Sequence, residues 1–152
     1  MAAATSTATR RPLTRSEKDQ LTTDLRLACM RISRRVRFES TAEVAPHQYS
    51  VLIRLDEQPR TPRELADIER VSPPSMTRTV ASLVELGLVD RADDPTDGRQ
   101  VILSLTEAGR RTVRDTRRRR DQWLAVRLEK LSEDERRLLV EATALLGRVA
   151  AE

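Results

Sequence analysis

The stretch from Thr61 to Leu105 constrains the fold more than any other part of the chain, because its helix starts, stops and turn residues leave the backbone little choice. Thr61-Pro62-Arg63-Glu64 has the form of a capping box with proline in the first turn, where a missing N–H removes no helical bond. Leu65, Ala66 and Ile68 then face inward along a short helix that ends about Arg70. Ser72-Pro73-Pro74-Ser75 opens the next helix, with Met76, Val80, Leu83, Val84 and Leu86 as its buried stripe. Gly87 fits the left-handed position past its end. Leu88 to Arg91 is short and β-like, Asp93 to Gly98 is a dense turn cluster, and Gln100 to Leu105 returns as a second strand. Two short capped helices joined by a tight turn form a helix-turn-helix. A hairpin directly after them makes a winged helix.

The flanking segments read as helices. From Ser16 to Glu39 the apolar positions Leu21, Leu25, Ala28, Ile32 and Val36 mark one helix face. Pro46 opens a second helix that buries Tyr49, Val51, Leu52 and Leu55, and Gln58-Pro59 stops it. Thr106 caps a long helix from about Glu107 to Leu128. Ser132 to Glu135 is another capping box, opening a last helix in which Leu138, Ala142, Leu145 and Val149 form an a/d-like seam. The expected architecture is mainly α: a winged helix-turn-helix with a helical dimerisation region, six helices plus a two-stranded β wing. Residues 1–15 are expected as a disordered arm, 16–45 as a dimerisation helix, 46–105 as the winged helix-turn-helix and 106–152 as dimerisation helices.

Several function classes are disfavoured. No apolar run approaches the roughly 18 residues of a membrane span, and Met1 to Thr14 lacks the apolar stretch of a secretory signal. One cysteine, Cys29, and one histidine, His47, exclude a disulfide framework and a Cys/His zinc site within one chain. There is no Gly-rich phosphate loop and no nucleophile elbow, and the carboxylates sit where helix capping explains them. A cytoplasmic, cofactor-free protein that is not an enzyme is the default. Arginine outnumbers lysine 26 to 2, which reads as the drift of a GC-rich genome more than as phosphate recognition. Cys29 reads as a small buried residue, His47 as a surface residue at a helix start and Trp123 as core or interface. The run Arg117 to Arg120 reads as the solvated face of a long helix, because a helix spreads successive residues around its circumference.

If residues 61–105 meet DNA, the second helix of the pair lies in the major groove. A rotation of ~100° per residue, with Met76, Val80 and Leu83 inward, turns Pro74, Arg78 and Ala81 outward, flanked by Ser75, Thr77 and Ser82. Arg78 suits guanine, whose O6 and N7 its fork spans. Ser75 and Thr77 suit phosphates or base edges, and Ser72 suits a cap that also touches DNA. Against this, residues 61–105 hold 5 Arg and 8 Asp or Glu, a local balance of 5 − 8 = −3 within a chain of net charge +4. That points to modest affinity for random DNA and dependence on specific contacts.

The segments PHQYSVLIRL, TPRELADIERVSPPSMTRTVASLVELGLVDR and DDPTDGRQVILSLTEAG together resemble the MarR-type winged-helix transcriptional regulators. The DGR of the wing, followed by an apolar strand and Leu-Thr-x-x-Gly, is the most specific part, and the likeness of element order spans roughly Leu21 to Val149. The resemblance implies a bacterial homodimer that binds pseudo-palindromic operator DNA, nucleoid-associated when bound, usually as a repressor relieved by a small phenolic or other ligand. It places Arg99 in the minor groove, oriented by Asp97 and presented by the Gly98 turn, with Arg91, Gln100 and Arg63 as backbone contacts. An effector pocket would draw on the first, second and fifth helices. Two other readings stay open: a helical module whose winged helix docks a protein, and an architectural binder indifferent to DNA sequence.

Overall fold

The computed structural model describes residues 11–39, 44–93 and 100–151. It contains α1 (Arg15–Glu39), α2 (Pro46–Glu57), α3 (Pro62–Glu69), α4 (Pro73–Glu85), β1 (Val89–Asp93), β2 (Val101–Leu105), α5 (Glu107–Leu128) and α6 (Glu133–Ala151). The six helices and two antiparallel strands are the expected ones, in the expected order. Asp97, Gly98 and Arg99 lie outside the described residues. The chain divides into two units, Met1–Arg35 and Val36–Glu152.

Within the first unit, α1 starts at a capping box set earlier than the sequence suggests. The Thr14 hydroxyl accepts from the Glu17 amide, and the Glu17 carboxylate accepts from the Thr14 amide at 2.8 Å. Arg11 also donates to Glu17, and this bond, ahead of the Thr14 bonds, lowers the Glu17 pKa to about 2. No residue of α1 is buried. Cys29, expected inside, is exposed.

The second unit is built around one apolar core. Leu52 of α2, Leu65 of α3, Met76 and Leu83 of α4, Val89 of β1, Leu103 of β2 and Val113 of α5 are all fully buried. Two residues of the inward-facing sets turn out otherwise. Ile68 is 38% exposed and Leu86 54% exposed. Ile68 stands in the last turn of α3 and Leu86 is the C-cap of α4, where the chain leaves the core before their face can be covered.

The wing pairs Val89 with Leu105 through Asp93 with Val101. Its core-side edge is extended by an unforeseen bridge: the amides and carbonyls of Arg60 and Leu103 bond reciprocally at 3.1 and 2.9 Å. The residue after Pro59 thereby becomes a minimal third strand, tying the α2–α3 connection to β2.

Gly87 occupies the left-handed region at φ +67° and turns the chain from α4 into β1. The start of α5 is clamped on this turn. The Thr106 hydroxyl donates to the Gly87 carbonyl at 2.8 Å and accepts from the Gly109 amide at 2.9 Å, while the Thr106 amide donates to the Leu88 carbonyl at 3.1 Å. Gly109 has no room for a side chain, since a Cβ there would stand 2.1 Å from the Leu88 carbonyl oxygen. The corner between α5 and α6 is closed by Arg136, which donates to the Leu131 carbonyl at 2.9 Å.

Gly109→Ala gains helix propensity, but the obstacle is backbone and cannot rotate away. The substitution is expected to destabilise the fold by about 1–3 kcal/mol, read as a lower urea midpoint with unchanged slope.

Candidate nucleic-acid interface

Three residues, Arg70, Val71 and Ser72, separate α3 from α4. Arg70 adopts the left-handed conformation (φ 53°, ψ 45°), the only described non-glycine residue to do so. Its amide and that of Val71 satisfy the last carbonyls of α3, with Val71 donating to Ala66 at 3.0 Å. At the other side Ser72 caps α4, its hydroxyl accepting from the Ser75 amide. Thr61 and Glu64 make the expected reciprocal capping box on α3. The Thr61 amide donating into Glu64 is the main cause that holds this carboxyl below the usual carboxylate range.

The turn presents α4 with a divided surface. Met76, Val80 and Leu83 are buried. Pro74, Thr77, Arg78 and Ala81 are exposed, and Ser75 and Ser82 are half-buried beside them. This is the outward and flanking arrangement expected from the helical period. Arg78 is held only loosely, by a 3.4 Å hydrogen bond from its guanidinium to the Ser75 hydroxyl. Thr77 turns its hydroxyl back to donate to the Pro73 carbonyl. Ser82 is engaged from behind: the Gln48 side-chain amide of α2 donates to its hydroxyl at 3.0 Å, while the Gln48 carbonyl accepts from the Ala45 amide at 2.8 Å. A glutamine in the first turn of a Pro-opened helix was the visible sign of that role, although its reach to α4 could not be read from local sequence.

Of the other candidates, Arg63 is exposed in the first turn of α3 and Arg91 is exposed on β1 opposite Leu103. Gln100 is exposed just before β2, at the end of the hairpin away from the Val89–Leu105 pair, and shares a groove with Thr61, Pro62, Arg63 and Val101. The structure therefore brings Arg63 and Gln100 together and keeps Arg78 on a separate element. Two of the three acidic residues of α3, Glu64 and Glu69, have internal partners. Glu69 accepts from the Ser50 hydroxyl and from Arg54 Nε at 3.1 Å, and this carboxylate is the first cause that raises the Arg54 pKa.

The arginine run of α5 is only partly a solvated face. Arg117 and Arg118 are exposed, but Arg120 lies over the Tyr49 ring with its guanidinium carbon 4.0 Å from the ring centroid. Trp123 is half-buried and donates to Glu39 at 3.2 Å. Among the described residues no group of three His, Cys, Asp or Glu side chains could hold a metal ion. None of the described helices is long and apolar enough to cross a membrane.

A capped helix pair, an outward polar face and a two-stranded wing define a winged helix-turn-helix protein. Residues 43–100 match the sequence model of the MarR family. The chain is 48% identical over 129 residues to an HTH-type transcriptional regulator of Mycobacterium bovis, covering 84% of this chain and 90% of that one. Among solved structures, a putative transcriptional regulator of Pseudomonas aeruginosa shares 33% identity at a TM-score of 0.78, over 91% of this chain and 98% of that one. A mutant MepR of S. aureus, bound to an oligodeoxyribonucleotide, shares the fold at 19% identity and a TM-score of 0.65, over 84% and 96% of the two chains. The chain belongs to the MarR family of HTH-type transcriptional regulators, and its relatives are regulators and not enzymes.

The left-handed turn residue gives a direct test of how α4 is set. Arg70→Gly is expected to hold or raise stability by up to about 1 kcal/mol, whereas Arg70→Val lowers it by about the same amount, because a β-branched residue resists positive φ. Paired urea denaturation curves measure both.

Proposed function

We propose that the protein is a homodimeric repressor that reads a pseudo-palindromic operator with α4 and releases it when a small molecule binds. The carrying observation is the exposed face of Pro74, Thr77, Arg78 and Ala81 on a helix fixed from behind by core residues. Arg78 takes a guanine edge, Ser72, Ser75 and Thr77 serve the adjoining backbone or bases, and Ser82 steadies the helix against Gln48. The wing brings Arg99 to the minor groove with Asp97 and Gly98 shaping its tip, and Arg91, Gln100 and Arg63 meet the backbone.

Dimerisation is supported by the apolar side chains that single helices leave uncovered. In α6, Leu138, Leu145 and Val149 are 65%, 53% and 67% exposed. In α1, Leu21, Ile32 and Phe38 are also exposed. Monomeric proteins rarely leave apolar faces of this length in water. In this reading residues 16–45 and 106–152 form the dimer and 46–105 bind DNA, with the two recognition helices set about 34–36 Å apart or a multiple of it. The place of action is the cytoplasm, on the nucleoid when bound.

Release by an effector is supported by a cavity of about 220 Å³ lined by Arg37, Tyr49, Ser50, Ile53, Arg54 and Arg120. Arg120 Nε is buried without a hydrogen-bond partner among the described residues. Three guanidiniums around one cavity favour a small organic anion. Such a ligand shifts DNA affinity only if it binds the free and DNA-bound forms differently.

Titration of the DNA flanking its own gene against a scrambled duplex, at several salt concentrations, tests the reading. Tighter binding to the native duplex, with log affinity falling linearly against log salt, is expected. Arg78→Ala should cost about 1–3 kcal/mol on the native duplex, and Arg99→Ala should weaken binding while leaving the dimer mass unchanged in sedimentation. Equal affinity for both duplexes favours an architectural binder, and no binding to either favours a protein-docking module.

A further inference from the structure

We infer that His47 of α2 is a DNA-backbone contact, which seats a phosphate in the groove it forms with α4; this rests on the DNA-binding reading above. The groove has a volume of about 420 Å³ and is lined by His47 and Gln48 on one wall and by Ser75, Arg78 and Ser82 on the other. Its lining residues include Arg78, part of the outward face of α4. Its chemistry departs from its surroundings. Residues 61–105 carry a net −3, yet no carboxylate is among the described residues that line this groove. It offers a guanidinium, an imidazole, hydroxyls and a side-chain amide.

The dimensions of DNA place a phosphate there. A helix with its side chains is about 10–12 Å across, and the major groove is about 12 Å wide. A helix seated in that groove therefore fills it, and residues on the flank of the helix meet the phosphate rim. Ser75 and Ser82 are such flank residues, half-buried beside the outward face. The element standing next to that flank is the first turn of α2, where His47 is exposed and its imidazole has no hydrogen bond or ion pair among the described residues. Ser82 is already tied to Gln48, so the wall on which His47 stands is held at a fixed distance from α4. Arg78 borders both the outward face and the groove, and links base reading to the rim. A contact of this kind adds affinity without sequence preference, because phosphates carry no sequence information directly.

The test compares wild type, His47→Ala, His47→Arg and His47→Glu as full-length protein on two probes, the duplex upstream of its own gene and a random-sequence duplex, between about 50 and 200 mM salt. His47→Arg is expected to bind both probes several-fold more tightly and to steepen the salt slope by about 0.9. His47→Glu is expected to weaken both by about tenfold, and His47→Ala to weaken both by a smaller, similar factor. An exposed helix-start residue with a merely structural role would leave the arginine and glutamate variants alike on DNA; that outcome overturns the inference. So does an effect confined to the native duplex, which would signify base reading. Unfolding curves that superimpose on wild type confirm that the variants differ only at the surface, and loss of DNA binding shared by variants with lowered unfolding midpoints would also overturn it. If wild type itself binds neither probe at the lowest salt, the DNA-binding reading fails along with this one; if wild type binds and the variants do not diverge, only the inference about His47 fails.

Discussion

The burial of one face of α4 is the constraint on which the rest of the molecule depends. Met76, Val80 and Leu83 are inserted among Leu52, Leu65 and Leu103, and that insertion fixes the rotation of the helix. A turn of one residue, ~100°, would bring Arg78 toward the core and push an apolar residue into water. The apolar gain of burying a single Leu is about 1.5–3 kcal/mol, so several such residues together hold the rotation firmly. The exposed strip from Pro74 to Ala81 is therefore as well determined as the core itself, although no residue within it is packed.

The same core sets the position of the wing. Leu103 and Leu105 anchor β2, Val89 anchors β1, and the Arg60–Leu103 bridge adds a third piece of backbone. The Thr106 clamp and the close approach of Gly109 to Leu88 then fix where α5 leaves the sheet. The exposed face of α4 and the base of the wing are thus two outlets of one apolar nucleus, which explains how a small unit presents two surfaces in a fixed relation.

Electrostatics follow from how the acids are used. Glu64 caps α3, Glu69 bonds Ser50 and Arg54, and Glu57 accepts from both Arg54 and Arg60. Carboxylates with internal partners of this kind contribute less repulsion toward a nearby phosphate than the segment's net charge suggests. Their ion pairs are partly exposed, so their own contribution to stability is small. Their effect on the field around α4 is the larger consequence.

Much of this was legible in the chain alone. Capping boxes, proline-opened helices, Gly87 past the end of α4 and the apolar run of β2 are local signals, and local signals locate elements because they act over three or four residues. The outward set on α4 was legible for the same reason, since Met76, Val80 and Leu83 fix the period. What the sequence could not supply was contact between elements far apart in the chain: Gln48 with Ser82, Arg60 with Leu103, Arg120 over Tyr49, and the shared groove that gives His47 a neighbour in Arg78. Nor could it tell that Ile68 and Leu86, in phase with buried neighbours, stand beyond the edge of the core. Periodicity states which side of a helix is apolar, but only the packed structure decides how far along the helix that side is covered, because coverage depends on where other elements end.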